Sequence, residues 1–85
     1  MNNTGGTLIL GASGGIGSTL ARTLSHKGER VVLAGRDSKT LQELGMELDS
    51  KTIIIESMDI ESISKAYTTA EEVLGTIDGT VNCIG

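Results

Sequence analysis

Proline, phenylalanine and tryptophan are absent from the 85 residues and Tyr67 is the single aromatic, so any core must be aliphatic. One cysteine, Cys83, excludes both an internal disulfide and a cysteine-built metal centre. The longest apolar run, Val31-Val32-Leu33-Ala34, is far short of the roughly 18 residues of a membrane span, and Met1-Asn2-Asn3 lacks the basic start of a signal peptide. These absences lead us to expect a soluble, cytoplasmic chain with no membrane partner. Blocks of like charge are also missing: seven Lys and Arg stand against eleven Asp and Glu, a net charge of −4 spread along the chain. That balance argues against nucleic acid and anionic surfaces as partners. At this length a domain buries only about 60–65 % of its unfolded surface. An aliphatic core without staples then has little reserve, and we expect residues 1–85 to be one part of a longer domain.

What the chain does have is glycine, twelve in all, and four of them, Gly11, Gly14, Gly15 and Gly17, follow the β-prone run Thr7-Leu8-Ile9-Leu10. The run reads as a buried strand entering a tight turn. From Ile16 the spacing becomes helical through Leu20 and Leu24, and Lys27-Gly28 supplies a basic last turn and a glycine stop. Val31 to Ala34 predicts a second strand closed by Gly35-Arg36-Asp37-Ser38. Leu41, Leu44 and Leu48 predict a second helix behind the capping candidates Asp37 and Ser38, weakened by Gly45 by about 1 kcal/mol relative to alanine. Thr52-Ile53-Ile54-Ile55 predicts a third strand, and Ile60, Ile63, Ala66, Tyr67, Ala70, Val73 and Leu74 predict a third helix. Residues 77–84, with Val81 and Ile84, predict a fourth strand.

The order is βαβαβαβ, and strands that are apolar without alternation belong to a parallel sheet covered on both faces. Right-handed crossovers place the first two helices on one face and the third on the other, with strand order 3-2-1-4. This is the N-terminal half of a Rossmann-type, doubly wound α/β sheet, with apolar side chains left uncovered on the face that has one helix.

Chemistry concentrates at the glycine cluster, a strand-to-helix turn where backbone N–H groups and a helix N-terminus can face a pyrophosphate. Gly11 supplies freedom at φ, Gly14 or Gly15 admits phosphate oxygens, and Gly17 lets the helix pack on the strand. A purely structural turn is the competing reading. A Walker phosphate loop is excluded, because Ala12-Ser13 follow Gly11 where Lys and Ser/Thr are required.

Gly11-Ala12-Ser13-Gly14-Gly15-Ile16-Gly17 resembles the G-x-x-x-G-x-G turn of the short-chain dehydrogenase/reductases. Asp59-Ile60 resembles that family's Asp-hydrophobic pair at the adenine, and Asn82-Cys83-Ile84-Gly85 resembles its Asn-Asn-Ala-Gly motif, with Cys83 and Ile84 as departures. Leu10 departs too, standing where the family usually has Thr. Gly11, Gly14 and Gly17 also satisfy the G-x-x-G-x-x-G form of extended and atypical members, whereas Asn82 favours the shorter reductase branch. The resemblance implies a cofactor site of Gly11, Ser13, Gly14, Gly15, Ile16, Gly17, Arg36, Asp59, Ile60, Asn82, Cys83 and Gly85 in an oxidoreductase acting on a carbonyl or alcohol. It also implies a homo-oligomeric parent, assembled through helices that these residues do not include. The competing classes are a non-catalytic, redox-sensing dinucleotide module and an extended-branch epimerase or dehydratase.

At the end of the second strand an acidic residue would hold the ribose 2′-OH of NAD, but Gly35 occupies that place and Arg36 follows. A guanidinium there pairs with a 2′-phosphate, so the expected cofactor is NADP. NAD is the alternative, with Arg36 solvated and Asp37 reaching the ribose. Asp59 also fits a plain helix cap and Asn82 a strand-end role. His26 is expected to be solvated, Cys83 to pack as a small apolar residue, and Tyr67 to join the core with a wet hydroxyl. Glu71, not lysine, lies four residues after Tyr67, so the family's Tyr-x-x-x-Lys pair is absent. We assign no catalytic residue and no metal ligand, and expect the 85 residues alone to be inert.

Overall fold

A computed structural model describes residues 5–56 and 59–83. Its elements run β1 (Thr7–Leu10), α1 (Gly15–His26), β2 (Val31–Gly35), α2 (Ser38–Leu48), β3 (Lys51–Ile54), α3 (Ile60–Leu74) and β4 (Gly79–Asn82). The four strands form one sheet in the order β3-β2-β1-β4, all pairs parallel. This is the doubly wound arrangement expected from the run of apolar strands and right-handed crossovers.

The core divides by strand parity. Leu8, Leu10, Val32 and Ala34 point to one face, where Ala66, Ala70 and Leu74 of α3 cover them. Ile9, Val31 and Leu33 point to the other, against Ala21 of α1 and Leu41 and Leu44 of α2. Successive strand residues alternate in direction, so one four-residue strand serves both layers. β2 is buried throughout and β1 from Leu8 to Leu10, whereas the outer strands β3 and β4 have only half-buried and exposed positions.

Several boundaries differ from expectation. The third strand starts at Lys51, one residue early, and Ile55 follows it as a buried residue whose N–H donates to Gly35 O at 2.8 Å. The fourth strand is confined to Gly79–Asn82, and Ile84 and Gly85 lie outside the described residues. Ile16 is 79 % exposed, because the buried stripe of α1 begins one residue later, with Gly17 and Ala21. On α3, Tyr67 is 43 % and Ile60 87 % exposed, so neither joins the core. The sheet takes up the Ala66, Ala70 and Leu74 stripe, and α3 has no neighbouring helix on its flank among the described residues.

Candidate functional site

Parallel strands bring their C-terminal ends to one edge of the sheet. Leu10 pairs with Ala34 on one side and with Asn82 on the other, and Gly35 pairs with Ile54. The glycine turn, Arg36, Ile55 and Asn82-Cys83 therefore share that edge. Strand order reverses beside β1, and a crevice opens at such a point in doubly wound sheets.

The turn is anchored to β2. Gly11 takes a left-handed φ of 80°, and the N–H groups of Gly11 and Ala12 both donate to Ala34 O, at 2.8 and 3.0 Å. Gly17 presses against the turn: a Cβ there would lie 2.9 Å from Ala12 Cα and would overlap Gly11 O. Gly14 and Gly15 are exposed, and a Cβ on Gly15 would meet nothing within 4 Å. The backbone ladder of α1 opens with Ser18 N–H donating to Gly14 O at 2.9 Å, so the N–H groups of Gly15, Ile16 and Gly17 precede it. No side chain caps this terminus and no acidic residue stands in its first turn. The donor set and the open space over Gly15 fit a pyrophosphate.

Arg36 is exposed immediately beyond β2. Asp37 is committed elsewhere: it caps α2, with Oδ1 accepting from Thr40 N at 3.2 Å and Oδ2 from the Thr40 hydroxyl at 3.1 Å. These hydrogen bonds, the Thr40 N–H first, hold the carboxyl below the usual aspartate range. Asp59 likewise caps α3, accepting from Ser62 N at 2.8 Å, so the capping reading holds whatever else its carboxylate touches. Asn82 is exposed at the end of β4. Cys83 is half-buried against the Ile9 layer as a small apolar residue, and its N–H donates to Leu10 O at 2.8 Å. Ile16 and Ile60 are exposed on the first turns of their helices, and His26 is exposed at the far end of α1. Ser13 is half-buried over Gly35, a proximity that the 21 positions between them in sequence did not signal. Gly85 lies outside the described residues.

An open hollow of about 570 Å³, lined by Gln42, Gly45, Met46, Asp49, Ser50, Lys51 and Thr52, sits at the opposite edge, where β3 begins. It contains none of the candidate residues. Among the described residues no cluster of His, Cys, Asp and Glu could hold a metal, and no helix is long and apolar enough to cross a membrane.

A glycine-rich turn at the reversal point of a parallel sheet defines the Rossmann-type class. Within that class, the family model of the short chain dehydrogenases matches residues 6–85, and the chain belongs to this family. It is 36 % identical over 84 residues to an uncharacterized oxidoreductase of Staphylococcus saprophyticus, covering 92 % of this chain and 36 % of that protein. It is 34 % identical over 82 residues to the 3-hydroxyacyl-CoA dehydrogenase type-2 of Drosophila melanogaster, covering 93 % and 32 %. A solved short chain dehydrogenase/reductase family oxidoreductase from Aeromonas hydrophila superposes with a TM-score of 0.88 at 26 % identity, covering 95 % of this chain and 40 % of that one. The chain thus spans about a third of the length of the curated relatives it matches.

Proposed function

We propose that these residues form the N-terminal, NADP(H)-binding part of an oxidoreductase that interconverts a carbonyl and an alcohol. The observation that carries the cofactor preference is the pairing of a solvent-facing Arg36 with an Asp37 whose two carboxylate oxygens serve Thr40. A cation with no acidic competitor favours a 2′-phosphate over a 2′-hydroxyl. Gly11 to Gly17 hold the pyrophosphate, with Ser13 and Ile16 at its margin; Asp59-Ile60 support the adenine, and Asn82 and Cys83 flank the ribose and nicotinamide. The cofactor, when bound, supplies or accepts the hydride. This chain's residues bind and orient it, and the groups that move the proton belong to other parts of such an enzyme.

Fluorescence titration of NADPH and NADH against the wild type and Arg36→Ala tests the reading. Loss of a charge-assisted contact predicts NADPH affinity lower by roughly 10–100-fold with little change for NADH. Equal losses for both cofactors would remove the 2′-phosphate role.

A further inference from the structure

The outer side of β3 carries features that the dinucleotide reading does not use. Among the described residues β3 ends the sheet, and its ladder with β2 runs from Lys51 to Ile54 without a bulge. Ile55 N–H donates to Gly35 O, so by the two-residue alternation of a strand the N–H and C=O groups of Thr52 and Ile54 point away from β2. The usual guards of a free edge are missing, for there is no proline and no charge between Lys51 and Glu56. Ile54 is 43 % exposed. Beside that edge, Lys39, Gln42, Met46 and Asp49 follow one another at spacings of three, four and three along the outer flank of α2, and all are exposed, Met46 at 84 %. Gln42, Met46 and Asp49 wall the hollow of about 570 Å³ next to Thr52, whereas Glu47, on the other flank of the helix, pairs with Arg22 of α1.

We infer that this side of the molecule docks a second copy of the chain about a two-fold axis, β3 pairing antiparallel with β3 and α2 packing on α2. Thr52 then exchanges hydrogen bonds with Ile54 of the second copy, and Ile53 stands opposite its counterpart. The flank of α2 is self-complementary in that orientation. Lys39 meets Asp49 of the second copy, Gln42 meets Met46 of the second copy, and symmetry repeats both contacts. One axis serves both elements: the strand pairs turn about Ile53 and the helix pairs about Leu44, and Gly45, one residue past Leu44, lies on Thr52, one residue before Ile53. Because α2 packs on both β2 and β3, the two α2 axes come two strand spacings apart, about 10 Å, which is the separation of packed helices. A foreign strand would satisfy the edge of β3 but not the matched charges of α2, and those charges single out a second copy. The antiparallel arrangement sends the two glycine turns to opposite ends of the joined sheet, so the interface leaves the proposed dinucleotide edge open and does not rest on the NADP reading.

Sedimentation equilibrium of the full chain, from about 1 μM to about 1 mM, tests the interface. The wild type is expected to pass from monomer to dimer with a dissociation constant of roughly 10–100 μM and to go no further, since a two-fold contact closes on itself. Lys39→Asp and Asp49→Lys each set like charges at both ends of the helix contact and are expected to weaken the dimer by about fivefold or more. Combining the two swaps restores the opposite charges and is expected to return the dimer to within about threefold of the wild type. A monomer at about 1 mM, a dimer indifferent to the single swaps, or a double variant weaker than either single one would overturn the interface. Thermal melts establish that the variants fold. Where one does not, amide exchange of the wild type decides. The N–H groups of Thr52 and Ile54 are expected to exchange about fivefold or more slowly at concentrations where the dimer forms, whereas unchanged exchange there means association through another surface and overturns the proposal.

Discussion

Two glycines two positions apart, Gly15 and Gly17, make opposite demands on the same turn. A Cβ on Gly17 would run into the backbone of Gly11 and Ala12, which cannot rotate away, whereas a Cβ on Gly15 would enter open space. Gly17→Ala is therefore expected to destabilise the fold by about 1–3 kcal/mol, seen as a melting temperature lower by roughly 5–20 °C. Gly15→Ala should leave the melting temperature equal or slightly higher, since alanine is the better helix former. It should nonetheless weaken dinucleotide binding by roughly tenfold, by filling space a phosphate would use. Calorimetric melts and cofactor titrations on the two variants separate the roles. If Gly15→Ala bound cofactor like the wild type, Gly15 would have no part in the site.

Capping carries much of the definition of α2 and α3. Asp37 and Asp59 each accept from the backbone N–H three residues on, which fixes where each helix starts. Because the Asp37 carboxyl is held below its unfolded value, its contribution is complete above the unfolded pKa of about 4 and is lost as pH falls through the folded value. Asp37→Ala should accordingly melt roughly 4–8 °C below wild type at pH 7, with the gap narrowing toward pH 3. A gap independent of pH would mean that the charge on Asp37 plays no part in the cap. These starts were legible in part: Asp37 stood beside Ser38 as a capping candidate, and a cap was the second reading of Asp59 after the adenine role. Packing partners were less so. Gly45 read as a simple cost to α2, yet a Cβ there would come within 3.0 Å of Ser50 O and overlap the Thr52 methyl, so its absence lets α2 close onto β3. Ile60 and Tyr67 fitted the helical spacing of a core stripe, but α3 buries only the narrower Ala66, Ala70 and Leu74 line. Periodicity reports which side of a helix is apolar, not how much of that side the rest of the molecule covers.

The whole molecule has a radius of gyration of 11.5 Å, close to the roughly 12 Å of a compact chain of this length. Its sheet edge gathers the residues proposed to bind a dinucleotide, while the C-terminal end of α3 is held at the opposite side. There the Arg30 guanidinium donates to Val73 O at 2.9 Å and to Leu74 O at 3.4 Å, and Gly5 N–H donates to Leu74 O at 2.8 Å. The single tyrosine, Tyr67, lies two turns along α3 from Asp59, and the residue four positions beyond it is Glu71, not the lysine of the family's Tyr-x-x-x-Lys pair. Hydride transfer to a carbonyl without a positioned acid forfeits both the proton and the stabilisation of the developing oxyanion, each worth orders of magnitude in rate. The 85-residue chain is thus expected to bind NADPH saturably by fluorescence titration. With a panel of aldehydes and ketones, absorbance at ~340 nm, where the reduced nicotinamide absorbs, should fall no faster than in a protein-free blank. Turnover above the blank would place a proton donor within these residues, and Tyr67→Phe would then be the variant that shows whether the lone phenol supplies it.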